Sequence, residues 1–168
     1  MSIDMYQVSI KVFIKMLGNL SKILDKAAIH AEAKNIDQSV FINYRLAPDM
    51  FPLSKQVQIA TDMVKGCAAR LAGLENPCYE DNESTFADLQ ARISKAIAFI
   101  QDVTPAQING TENLAINFKI GGTEKNFVGL PYLLDFVLPN FYFHITMTYA
   151  ILRHNGVELG KSDFLGVD

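Results

Sequence analysis

Apolar residues recur along the first third of the chain at Met5, Val8, Val12, Phe13, Met16, Leu17, Leu20, Ile23, Leu24, Ala27 and Ala31. That three-and-four spacing gathers them on one stripe and predicts a helix from Asp4 to Lys34, roughly 45 Å long. Helices of this length bury their stripe most readily in a bundle. The next stretch, NIDQSVFINYRLAPDMFPLSKQ, mixes polarities and contains two prolines, so it reads as a long ordered connection. Its Phe41, Tyr44, Leu46 and Met50 are expected to cover one bundle end.

Pro52 suits the first turn of a second helix, where its missing N–H is no loss. The apolar stripe there is Leu53, Val57, Ala60, Met63, Val64, Cys67, Ala68 and Leu71, with Gln58, Asp62 and Lys65 expected on the opposite face and Gly73 as the stop. Thr85 and Asp88 then have the spacing of a capping box ahead of Phe86, Leu89, Ile93, Ala96, Ile97 and Ile100, which predicts a third helix. Between Thr104 and Leu130 the period changes. NLAINFKI alternates apolar and polar, GGTEK supplies turn residues and NFVGL follows, so a short β-hairpin is expected. Pro131 opens a fourth helical segment, PYLLDFVLPNFYFHITMTYAILRH, which ends at Asn155-Gly156. Pro139 cannot donate to the helix ladder, so the carbonyl of Asp135 loses its partner and a kink or break is expected. The pattern as a whole predicts an all-α, four-helix bundle with a short β-hairpin insertion before the last helix, one domain spanning residues 1–168.

Composition narrows the function classes more than it selects one. Hydrophobic residues make up 49% of the 168 positions and charged residues 20%, which is ordinary globular usage and argues against disorder. A net charge of −3 supplies no basic field of the kind that neutralises phosphates, so neither nucleic acid nor a membrane surface is an expected partner. The N-terminal MSIDMYQVSIKVF lacks a basic segment followed by an unbroken apolar run, so no signal peptide is read. Cys67 and Cys78 are too few for a disulfide scaffold and are not spaced as CxxC, so reduced thiols in the cytoplasm are expected. Phe136, Phe141, Tyr142, Phe143 and Tyr149 point in several directions around the last helix, more than one buried stripe needs. Such a helix is either central or shared, and a homodimer interface is the expectation, with the hairpin as an alternative cover.

Chemistry concentrates on the last helix, which carries two of the three histidines. His144 falls on the inward face with Phe141, Met147, Thr148 and Ile151. His154, ten residues on, lies roughly 15 Å along the axis and cannot share a mononuclear metal with it. Helical metal pairs sit three or four residues apart, which leaves Asn140 or Thr148 as the in-register partner of His144. Two readings stand for His144: a core histidine with its hydrogen bonds satisfied, or a ligand or general base at a functional site. Gln56 lies on the apolar stripe of the second helix and is the polar side chain expected near the bundle interior, bonded either to such a site or to the connection around Tyr44 and Arg45. Tyr44, Arg45 and Asp49 are placed to line a small polar pocket beside that helix start. His30 and His154 read as helix-end contacts, and Cys67 as a buried inert thiol. IGGT is too short for a phosphate loop, and GxSxG, HExxH and EF-hand patterns are absent from the sequence.

The segments YRLAPDMFPLSKQVQIA, TFADLQARISKAIAFI and FYFHITMTYAILRHNGVELGKSDFLG resemble an uncharacterised bacterial family of the DinB/YfiT-like superfamily, to which metal-dependent chemistry is ascribed. The resemblance spans Met5 to Gly166 and implies a four-helix bundle, often dimeric. Relatives in other branches include metal-dependent thiol S-transferases and a maleylpyruvate isomerase. The resemblance implies a divalent metal, zinc or nickel, held by one histidine of the second helix and an HxxxH pair on the fourth. On that pattern His144 takes the later position of the pair, Asn140 stands at the earlier one, and the second helix of this chain offers no histidine. The functional expectation is a small-molecule or metal-binding enzyme with a degenerate site. In it His144 is catalytic, His144 and Asn140 are candidate metal ligands, and Gln56, Asn140 and Tyr44 are candidate substrate contacts. The alternative is a noncatalytic homodimeric binding or structural protein that has lost the site.

Overall fold

The first predicted helix forms in two pieces in the computed structural model, which describes residues 3–167. Asp4 caps a single turn, α1 (Met5–Val8), by accepting the Gln7 N–H at 2.8 Å. At the fully buried Ser9 the backbone leaves helical geometry (φ −115°, ψ −85°), and the hydroxyl donates back to the Met5 carbonyl at 2.6 Å. That local bond competes with the helix ladder, which is why a periodic stripe did not guarantee one continuous rod. The long helix α2 (Ile10–Ala33) follows.

The connection is ordered, as expected, and contains a short helix, α3 (Gln38–Ile42), capped by Asp37. Phe41 is buried and Tyr44 packs against the core, while Leu46 remains 38% exposed, so the expected cover over this end is partial. Helix α4 (Leu53–Ala72) begins just after Pro52 and stops at Gly73, whose left-handed φ of 66° suits a residue without a Cβ. Helix α5 (Phe86–Gln101) begins with the reciprocal Thr85/Asp88 capping box foreseen from the sequence. After one turn of helix, α6 (Pro105–Ile108), strands β1 (Ala115–Ile120) and β2 (Thr123–Val128) pair antiparallel. Ile120 faces Thr123, so Gly121 and Gly122 form a two-residue turn with φ of 55° and 82°, the positive values a tight hairpin needs.

The chain then passes through α7 (Gly129–Pro131), a π-helical stretch at Tyr132–Val137 and α8 (Leu138–His154). Here the expected kink at Pro139 takes a specific form. The Leu138 N–H bonds the Leu133 carbonyl, five residues back, and this wider turn delivers Pro139 into the first turn of α8. A widened turn is where a helix accommodates a residue without an N–H at least cost. A short helix, α9 (Lys161–Leu165), returns along α2, held by Lys26 to Asp163 at 2.6 Å and by Asn19 to the Phe164 carbonyl at 3.0 Å.

Helix α4 packs against both α5 and α8, and α2 packs on α5 while also touching α8, which closes a four-helix ring. Phe13 of α2 meets Phe141 of α8 edge-on at 5.2 Å in its interior. Against the outer side of α4 and the π-helical stretch lies the hairpin, through Phe118, Phe127, Tyr132 and Phe136. The Arg70 guanidinium lies 3.9 Å from the Phe118 ring centre and donates to the Tyr132 hydroxyl at 3.0 Å.

One expected face differs. Gln58 and Lys65 are buried rather than solvated, because the 74–85 loop folds over that side of α4. Arg92, its side chain 2% exposed, bonds Asp62, Glu83, Asp81 and the Thr61 hydroxyl, while Gln58 donates to Glu83. Periodicity marks polar positions as outward, whereas a loop carrying Asp81 and Glu83 can seal them by supplying opposite charge. Among the described residues no helix is long and apolar enough to cross a membrane.

Candidate functional site

Helices α4 and α8 bring Gln56 and His144 together from positions 88 residues apart, with Gln56 Oε1 at 2.7 Å from His144 Nδ1. Gln56 is 1% exposed and His144 8% exposed. The amide is fixed from its other end, since its Nε2 donates to the Phe51 carbonyl at 3.0 Å. A carbonyl can only accept, so the amide nitrogen faces Phe51 and the amide oxygen faces the imidazole. That oxygen also only accepts, so His144 Nδ1 carries a proton. Burial holds the His144 pKa below its ordinary 6.5, which favours the neutral ring at neutral pH. Its remaining nitrogen, Nε2, is then an unprotonated acceptor. Among the described residues no hydrogen-bonding group meets Nε2, and the atom is not sealed from solvent. Phe143, half exposed, stands edge-on to the imidazole at 5.2 Å, and Phe51 is also half exposed.

The other expected residues divide. Asn140 is one helical turn before His144, but its amide nitrogen bonds the Phe136 carbonyl at 2.6 Å. That carbonyl is the one an i−4 bond would reach, so the side chain turns along its own helix. Tyr44 packs against His154 at 5.9 Å between ring centres and makes no hydrogen bond to Gln56 or His144. Arg45 bonds the Met50 carbonyl within the connection. His30 lies edge-on to Phe41 at 5.9 Å, so it and His154 serve as helix-end contacts. Cys67 is fully buried, and burial pushes its thiol up to about 12.

Two features had no place in the sequence reading. Phe51 anchors Gln56 through its backbone carbonyl, for which a sequence gives no signal beyond proximity to the helix start. Arg92 could have been noticed as a charge set beside Leu89, Ile93 and Ala96 at the edge of the apolar stripe.

A three-histidine metal centre does not fit these residues. His144 offers one free nitrogen, the α4 position facing it is an amide whose oxygen is already engaged, and the Asn140 side chain is held along its own helix by its amide nitrogen. Among the described residues no three His, Cys, Asp or Glu side chains converge closely enough to hold a metal ion.

The architecture has a solved counterpart in a DinB family member protein from Shewanella denitrificans. Its crystal structure matches with a TM-score of 0.88 at 40% sequence identity, over 97% of this chain and 92% of that one. No curated protein matches the chain. A domain of unknown function, DUF1993, matches residues 5–165. The chain therefore belongs to the DUF1993 family, with the fold of a DinB-like helical bundle.

Proposed function

We propose that the protein binds a small molecule at His144, with Nε2 as the recognising atom and, toward a sufficiently acidic ligand, a general base. The observation that supports this reading is the Phe51–Gln56–His144 chain. It orients a mostly buried imidazole, fixes its tautomer and leaves Nε2 without a protein partner. A histidine kept only for packing gains nothing from an exposed nitrogen without a protein partner. In this reading the superfamily's metal site has degenerated to one imidazole, and Gln56 stands where an α4 ligand would otherwise face the fourth helix.

The test is a fragment titration of isotopically labelled protein, followed by NMR at His144 and Gln56. Saturable shifts centred on those residues and abolished in His144→Ala are expected. Metal analysis of tag-free protein incubated with zinc and with nickel forms the second arm. Stoichiometric metal in wild type that disappears in His144→Ala would overturn the metal-free reading.

A further inference from the structure

The tautomer of His144 dictates more than that a ligand binds, because an acceptor-only nitrogen discriminates among ligands. Resting on the reading above, we infer that the site selects an uncharged molecule presenting one O–H or N–H donor on an aromatic or apolar body, and rejects carboxylates. The chain of orientation is complete on the protein side. The Phe51 carbonyl sets the Gln56 amide, the amide oxygen sets Nδ1–H, and Nε2 remains as lone pair. A carboxylate approaching Nε2 brings lone pairs against a lone pair, whereas a phenolic hydroxyl completes the bond.

The surroundings point the same way. From Asn140 to Tyr149 the last helix carries no Asp, Glu, Lys or Arg. On α4, Lys55, next to Gln56, is held by Asp81 at 2.5 Å. Among the described residues, the turns of α4 and α8 that carry Gln56 and His144 therefore present no unpaired cation to an anion. What α8 does supply is aromatic surface, since Phe143 is 50% exposed and stands edge-on to the imidazole. An aromatic face left in water beside a single polar atom suits a ligand with a flat apolar body and one polar handle.

The experiment compares phenol, anisole and benzoate, three probes that share a ring and differ in donor, blocked donor and anion. Phenol is expected to bind about tenfold tighter than either of the others, the effect of one hydrogen bond left unmade. Nitrogen chemical shifts of the imidazole in wild type should report Nδ1 protonated and Nε2 bare without any ligand. In Gln56→Glu the carboxylate beside Nδ1 favours the imidazolium, Nε2 becomes a donor, and the preference should reverse toward benzoate. Phenol and anisole binding equally, or benzoate binding best to wild type, overturns the selectivity while leaving the ligand site standing. A bare Nδ1 in wild type overturns the orientation argument whether or not Gln56→Glu folds. Failure of all three probes to perturb His144 overturns the binding reading itself, and the inference with it.

Discussion

At the scale of the residue, burial decides what each reactive group can do. Cys67 sits inside the bundle with its thiol pushed up to about 12, whereas Cys78 is exposed on the loop after α4. A thiol-reactive disulfide reagent at mildly alkaline pH should therefore titrate one cysteine in native protein and both in denaturant. Rapid modification of Cys67 in the native state would contradict its packing. His144 gives a second residue-level expectation, with its sign fixed by linkage. Burial lowers its pKa in the folded state, so below about pH 6.5 the unfolded chain binds the proton more readily. Its stabilising contribution is complete above that pH and is lost as pH falls through the lower native value. Urea midpoints of wild type should consequently drop on acidification through this window more than those of His144→Gln. Equal pH dependence in the two proteins would remove His144 as the cause.

At the scale of the element, two irregularities do work that regular helices could not. The π-helical stretch brings Pro139 into α8 where its absent N–H matters least. Pro139→Ala should therefore change stability by less than about 1 kcal/mol, against the roughly 3 kcal/mol associated with proline in a helix interior. A gain of several kcal/mol in urea unfolding would show that the proline strains the helix after all. Gly129 is the second case. A Cβ at that position would lie 1.9 Å from the Thr111 carbonyl oxygen, a backbone atom that cannot swing aside. Gly129→Ala should cost about 2–3 kcal/mol, by the overpacking it forces where the hairpin meets the last helical segment. The loss should appear as a lower urea midpoint, and an unchanged midpoint would mean the 111–114 segment yields freely.

At the scale of the whole molecule, the bundle is closed by apolar packing on the inside and by a charged clasp joining α4, α5 and the loop between them. Arg92 ties α5 to Asp62 of α4 and to Asp81 and Glu83 of the intervening loop. Arg92→Met should destabilise the fold by about 3 kcal/mol, because Glu83 is then left nearly buried without its counter-charge. Urea unfolding measures this. A loss below about 1 kcal/mol would mean that water serves these carboxylates as well as the guanidinium does.

The sequence by itself determined the elements whose causes are local. The stripe of α2, the Thr85/Asp88 box, the Gly121-Gly122 turn and the disturbance at Pro139 follow from side-chain spacing, capping groups, permitted φ and a missing N–H. It also marked His144 and Gln56 separately, since each is polar on an apolar stripe. Only the tertiary structure decided that they touch, that Phe51 orients the amide, and that Asn140 and Tyr44 turn elsewhere. Ser9 breaking the first helix and Arg92 being clasped were likewise decided there. The physical reason is common to all of these. Periodicity reports which face of one element avoids water, whereas a hydrogen bond or ion pair depends on the angle and offset between two elements, and those are set by packing of the whole bundle.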